Sequence, residues 1–295
     1  MKLAGYGEDR LVTELVANLR HFRKEVAVGP GDDCAVITER GSRWDQLLKT
    51  DAIVEGVHFL SSAPAAQVGW KALCRAISDI GAMGGEARHA LVTLGLREDV
   101  SVAWVRRLYS GIRKAGDRYG VEIVGGETVR TIGATFVSVS LAGRVERGRA
   151  VLRNGGRAGD AVLVTGKLGG SIRGWHLRFH PRMSEGRWLG KTGWIHAMMD
   201  LSDGLAADLP RLARASGVGW RLFEEVIPVR RGATLHGALT DGEDYELLLT
   251  ISSENLPKLL KNWPRHFPDL SLSVIGELIP EMPEEPRQAG GFQHF

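Results

Sequence analysis

Residues 64–83 read PAAQVGWKALCRAISDIGAM, and their periodicity decides the fold class. Val68, Ala72, Leu73, Ala76 and Ile80 fall three or four apart, which is the spacing of one helix face, and Pro64 suits a helix start. Residues 87–96 follow as an apolar, β-branched strand. Outward from this pair, periodicity predicts a helix over 8–22 and strands over 34–38, 46–51 and 53–59. A second long helix is expected over 102–119. A short strand over 121–124 ends at Gly125-Gly126, and another strand covers 134–145. A Gly/Arg-rich stretch, 147–160, reads as a linker. Beyond it lie a strand at 161–165 and a glycine-rich turn at 166–171, then a helix at 203–215. Strands at 220–223 and 245–251, a helix at 254–262 and a strand at 272–278 complete the pattern. Strands mixed with long helices in two halves predict an α/β (α+β) protein of two domains, 1–147 and 148–295.

The bulk numbers exclude several classes. With 43% hydrophobic and 25% charged residues the chain is globular rather than disordered. Its formal charge is only +3 and no basic run occurs, so no nucleic-acid partner is expected. The two cysteines, Cys34 and Cys74, form no CxxC pair, which speaks against a zinc or disulfide framework. No signal core precedes residue 10, and no stretch reaches the ~18 apolar residues of a membrane helix. A cytoplasmic protein with no membrane partner is expected.

Acidic residues recur in one setting, after an apolar run and beside glycine. The instances are Gly31-Asp32-Asp33, Lys49-Thr50-Asp51, Ser78-Asp79, Gly125-Gly126-Glu127 and Met199-Asp200-Leu201-Ser202-Asp203-Gly204. Glycine lets ligand phosphates approach the backbone, and gathered carboxylates repel one another unless cations hold them. Hard oxygen donors select Mg²⁺, so convergence of these groups would make a magnesium–nucleotide site. Taken singly, Gly-Asp-Asp is a common turn and Ser202-Asp203-Gly204 a common helix cap. Gly190-Lys191-Thr192 fails as a P-loop, because Glu185 stands where the first glycine is required.

In order along the chain, the segments resemble the thiamine-monophosphate kinases, relatives of aminoimidazole ribonucleotide synthetase and selenophosphate synthetase. Those carrying the resemblance are Gly31-Asp32-Asp33-Cys34-Ala35, Thr50-Asp51, Val54-Glu55-Gly56-Val57-His58-Phe59, Ser78-Asp79-Ile80-Gly81-Ala82-Met83-Gly84 and Gly125-Gly126-Glu127-Thr128. Gly148-Arg149-Ala150 to Arg153, Val164-Thr165-Gly166, Asp200-Leu201-Ser202-Asp203-Gly204-Leu205, Gly242-Glu243-Asp244-Tyr245-Glu246-Leu247 and the terminal Gly291-Phe292-Gln293-His294-Phe295 complete the set. The resemblance implies a two-domain architecture of the synthetase type, whose N-terminal sheet pairs with its twin in a homodimer. It implies ATP as co-substrate, several Mg²⁺ ions and thiamine monophosphate as acceptor. By position, Asp32, Asp33, Thr50, Asp51, Asp79, Glu127, Asp200 and Asp203 would be metal ligands or their supports. Glu127 takes the place of an aspartate. Gly126, Glu127, Arg153 and Ser202 would bind on the nucleotide side, and His58 and Glu243 would contact the acceptor. Asp79, Asp203 and Arg153 would carry catalysis. The other readings are a superfamily enzyme with another small phosphorylated acceptor, and a non-catalytic paralogue that binds nucleotide.

Overall fold

The computed structural model describes residue 3 and residues 6–19 and 22–280. The motif Gly291-Phe292-Gln293-His294-Phe295 lies outside the described residues. A first sheet of six strands runs in the order β1 (Val26–Val28), β2 (Ala35–Thr38), β3 (Trp44–Val54), β6 (Phe136–Glu146), β4 (Glu86–Leu96), β5 (Glu122–Arg130). Its pairs are antiparallel except β4 with β5, and those two are joined through helix α3 (Val102–Tyr119), since parallel neighbours need a crossover. Along β3, Leu47 and Ile53 are buried while Leu48, Thr50 and Ala52 are exposed. Strand alternation therefore puts Lys49 and Asp51 on the inner face and Thr50 on the outer one.

The second sheet is antiparallel, in the order β8 (Ile195–Asp200), β10 (Leu247–Ile251), β7 (Ala161–Thr165), β11 (Leu272–Ile279), β9 (Gly219–Leu222). The interior strand β10 reads LLLTI and is buried throughout, because helices cover both faces. Leu248 packs with Leu205, Leu209 and Leu212 of α5 (Leu205–Ala215). Leu247 and Leu249 pack with Leu189 of α4 (Met183–Thr192) and with Leu259 and Trp263 of α7 (Leu256–His266). Two further helices among the described residues are α1 (Glu8–Ala17) and α6 (Leu235–Thr240). No described helix is long and apolar enough to cross a membrane.

Helix α2 (Ala65–Ala82) joins the two halves. The first sheet and α3 meet one side of it, while α4 and β8 meet the other. It is therefore buried around its circumference, not on the single face its periodicity predicts. Its C-terminal turn crosses α4 where neither helix has a side chain. A Cβ on Gly186 would lie 1.9 Å from the carbonyl oxygen of Gly81. That crossing sets Asp79 of α2 beside Asp200 at the end of β8.

Four expectations change. The helix expected over 8–22 ends at Ala17. The strand over 53–59 is a turn instead, because Gly56 adopts φ 83 and ends β3 at Val54. The strand over 121–124 does not stop at Gly125-Gly126 but continues to Arg130. Gly126 is required inside it, since a Cβ there would lie 1.9 Å from the carbonyl oxygen of Val92. The helix α4 and the strand β8 fall in the 172–202 stretch where periodicity gave no element.

Candidate active site

Three aspartates from different elements meet at the junction. Asp33 precedes β2, Asp79 lies in the last turn of α2 and Asp200 ends β8. One carboxylate oxygen from each lies within 4.8 Å of the others, and all three residues are buried. Two protein cations reach the group. Lys49 Nζ donates to Asp79 Oδ1 at 2.6 Å. Arg153, in the turn Arg153–Gly155, donates to Asp33 Oδ1 through Nε at 3.1 Å and also through Nη2. Asp33 Oδ2 is buried with no hydrogen-bond partner among the described residues. Burial, then the charge of Asp33, pushes the Asp200 carboxyl up to about 7. Burial raises Asp79 well above the carboxylate range, against the pull of Lys49. Crowded oxygens that resist ionisation, one of them orphaned, fit a hard divalent cation.

The other acidic residues lie around this group. Asp32 accepts from the backbone amides of Asp33 and Arg153, both at 3.0 Å, and burial and the Asp33 charge push it up to about 6. Asp51, on the inner face of β3, pairs with Arg75 of α2, with Nε to Oδ2 and Nη2 to Oδ1 both at 3.2 Å. Thr50 lies on the opposite face and is exposed. β2 pairs with β3 only from Asp45 to Leu48, so beyond that point β3 has β6 as its one described partner and a free edge. A groove runs along that edge past Thr50, Asp51, His58 and Arg75.

Asp203 and Ser202 sit in the turn between β8 and α5. Their backbone amides donate to Asp208 Oδ2 at 3.0 and 3.1 Å, and Arg211 pairs with both Asp203 and Asp208. This turn is locked to the 241–246 loop, since Glu243 N donates to Ser202 O at 2.6 Å and Tyr245 N to Leu201 O at 2.8 Å. Glu243 and Tyr245 are the two non-glycine residues at positive φ among the described residues, 53 and 52. The strained loop presents the Glu243 carboxylate to Lys71 Nζ at 2.7 Å and to His176 Nδ1 at 2.9 Å. Burial opposes ionisation of Glu243, but His176 and Lys71 outweigh it and hold the carboxyl at about 2. Lys71 is fully buried and also donates to the carbonyl oxygen of His58 at 2.5 Å. The His58 ring accepts from Val54 N through Nδ1 at 3.1 Å, which closes the turn after β3. His58, Ser202, Asp203 and Glu243 line one cavity together.

Gly126 and Glu127 stand apart from these residues, on the edge strand β5. Glu127 shares a register row with Ala52 across β4 and β6, three strand spacings or about 14 Å away. Its Oε1 accepts from Thr128 N at 2.9 Å. The residues the sequence did not single out are Lys49, Lys71, Arg75, His176 and Asp208. Asp208 alone carried a local signal, an acidic residue in the first turn of α5.

Comparison with known proteins places the chain. Residues 31–145 match the family model described as AIR synthase related protein, N-terminal domain, and residues 157–282 match the C-terminal domain of the same description. Thiamine-monophosphate kinase of Rhodopirellula baltica is 38% identical over 247 residues, 78% of this chain and 78% of that protein. Thiamine-monophosphate kinase of Aquifex aeolicus is 37% identical over 256 residues, 76% of this chain and 81% of that one. A solved structure, AaThiL complexed with AMPPCP and TMP, superposes with a TM-score of 0.86 at 32% identity, over 100% of this chain and 99% of that one. The chain belongs to the thiamine-monophosphate kinase family.

Proposed function

We propose that the chain transfers the γ-phosphoryl group of ATP to the phosphate of thiamine monophosphate, giving ADP and thiamine diphosphate. The observation that carries this reading is the meeting of Asp33, Asp79 and Asp200, the last of them leading directly into the Ser202-Asp203 turn that lines a cavity with His58 and Glu243. The family relatives and the likeness to a kinase holding AMPPCP and TMP support it. An acceptor phosphate oxygen attacks the γ-phosphorus, the bond to the β–γ bridging oxygen breaks, and ADP carries that electron pair away. The acceptor oxygen is already anionic near pH 7, so no general base is required. What the chain must do is hold two anions in line.

Asp33, Asp79 and Asp200 would hold Mg²⁺, with Asp32, Asp51 and Asp203 around them. When bound, Mg²⁺ would offset the negative charge of the reacting phosphates. Arg153 would bind and orient the nucleotide from its seat on Asp33, and Ser202 would do so from the 200–204 turn. Gly126 and Glu127 would act from β5, on a part of the nucleotide distant from the acceptor. His58 and Glu243 would orient the acceptor, and Lys71 fixes both of them. Reaction would take place at the junction of two domains, 1–147 and 148–295, of a cytoplasmic homodimer.

The test is ADP release from ATP and Mg²⁺ with thiamine monophosphate as acceptor. Acceptor-dependent ADP release with formation of thiamine diphosphate is expected. Nucleotide binding without turnover would indicate a non-catalytic paralogue. Turnover only with other phosphorylated acceptors would reassign the substrate.

A further inference from the structure

Two cavities meet beside the free edge of β3, and Val57, His58 and Arg75 line both. Their linings carry four acidic residues, Asp51, Asp203, Asp241 and Glu243. Arg75 is the one Lys or Arg among the described lining residues of either cavity. A phosphate entering this space meets repulsion from every charged wall but that one. Divalent cations would offset charge at the Asp33 group, but the cavity around Glu243 has Arg75 as its fixed positive charge.

The seat of Arg75 prepares it for an anion. Nε and Nη2 are fixed on the two oxygens of Asp51 at 3.2 Å. The remaining nitrogen, Nη1, has only loose neighbours: Ala52 O at 3.4 Å and Glu243 Oε1 at 3.9 Å. The side chain is 13% exposed, enough to be reached from the cavities yet largely shielded from bulk solvent. A guanidinium keeps its charge at any working pH, and with one edge tied down it offers the other edge in a fixed direction. Charge-assisted hydrogen bonds to phosphate in such a setting are among the strong ones.

Resting on the kinase reading above, we infer that Arg75 is the anchor for the phosphate of the acceptor, oriented by Asp51 and offering Nη1 to a phosphate oxygen. Its role in selectivity follows. Thiamine without a phosphate would offer Arg75 a neutral hydroxyl oxygen but no anionic one. Arg75 therefore discriminates the phosphorylated acceptor from the free alcohol. As an alternative, Arg75 would be only a strut between Asp51 and Glu243.

Titration calorimetry of the full chain with thiamine monophosphate and with thiamine separates these roles, in the presence of Mg²⁺ and a non-hydrolysable ATP analogue. The wild-type chain should bind thiamine monophosphate more tightly than thiamine. Arg75→Gln should weaken thiamine monophosphate about 10- to 100-fold and leave thiamine unchanged. Arg75→Lys keeps the charge but loses the fork, so it should fall between the two. It also serves if Arg75→Gln fails to fold, which loss of ATP-analogue binding would reveal. Equal weakening of both ligands would overturn the assignment in favour of the strut, and so would no weakening of either. Wild-type chain that binds neither ligand would overturn the kinase reading itself, and with it the assignment.

Discussion

At the scale of single residues, the site is a contest between burial and charge. Burial opposes ionisation of Asp79 and Asp200, and Asp200 sits at about 7 instead of in the ordinary carboxylate range. A carboxyl raised on folding stabilises the folded chain only while it holds its proton. Without metal, that contribution fades as pH rises from the unfolded value near 4 through about 7. A divalent cation reverses the preference, because it binds the ionised form. Mg²⁺ should therefore raise the melting temperature more at pH 8 than at pH 6. In Asp79→Asn this pH-dependent gain should shrink, and turnover should fall by about 100-fold or more with the fold intact by circular dichroism. Near-normal turnover of Asp79→Asn would remove Asp79 from the metal site. The aspartates were legible because each follows an apolar run in a short segment that also carries glycine, serine or threonine. Lys71 and Arg75 were not, since cations four apart on a helix read as a solvated face. Only the burial of α2 on all sides turns them inward. Lys49 was hidden for a similar reason, as its partner Asp79 lies thirty residues away.

At the scale of elements, β5 is the strand through which the proposed homodimer would pair. The first sheet ends in this strand, most of whose residues are exposed, with Val124 and Val129 at 57% and 40%. Leu48 and Leu91 of β3 and β4 are exposed as well. An open edge strand next to exposed apolar groups is a template for pairing with another chain. The proposed homodimer should pair through this sheet. Light scattering should return twice the 32.2 kDa chain mass, and Val124→Lys should shift the chain toward the monomer. A wild-type monomer at micromolar concentration would refute sheet pairing. The element pattern of the first half was largely readable from periods of two and 3.6, as β4 and α3 illustrate. Two of the readings that failed did so at glycines. Gly56 at positive φ broke a strand, whereas Gly126 continued one because a neighbouring carbonyl left no room for a side chain.

At the scale of the whole molecule, the site exists only because two sheets are docked through α2. Asp33 comes from the first sheet's side, Asp200 from the second sheet, and Asp79 from the helix between them. The contact of Gly81 with Gly186 brings that helix close enough for the three to meet. Spacing along the chain carries no information on this convergence, so the meeting point could be expected only through a resemblance. The most direct test uses crystals of the full chain with Mn²⁺, a probe for oxygen-ligated Mg²⁺ sites, and a non-hydrolysable ATP analogue. Anomalous scattering should place manganese among the carboxylates of Asp33, Asp79 and Asp200, next to the nucleotide phosphates. Nucleotide bound with its manganese elsewhere, and those three aspartates without a metal, would contradict the account.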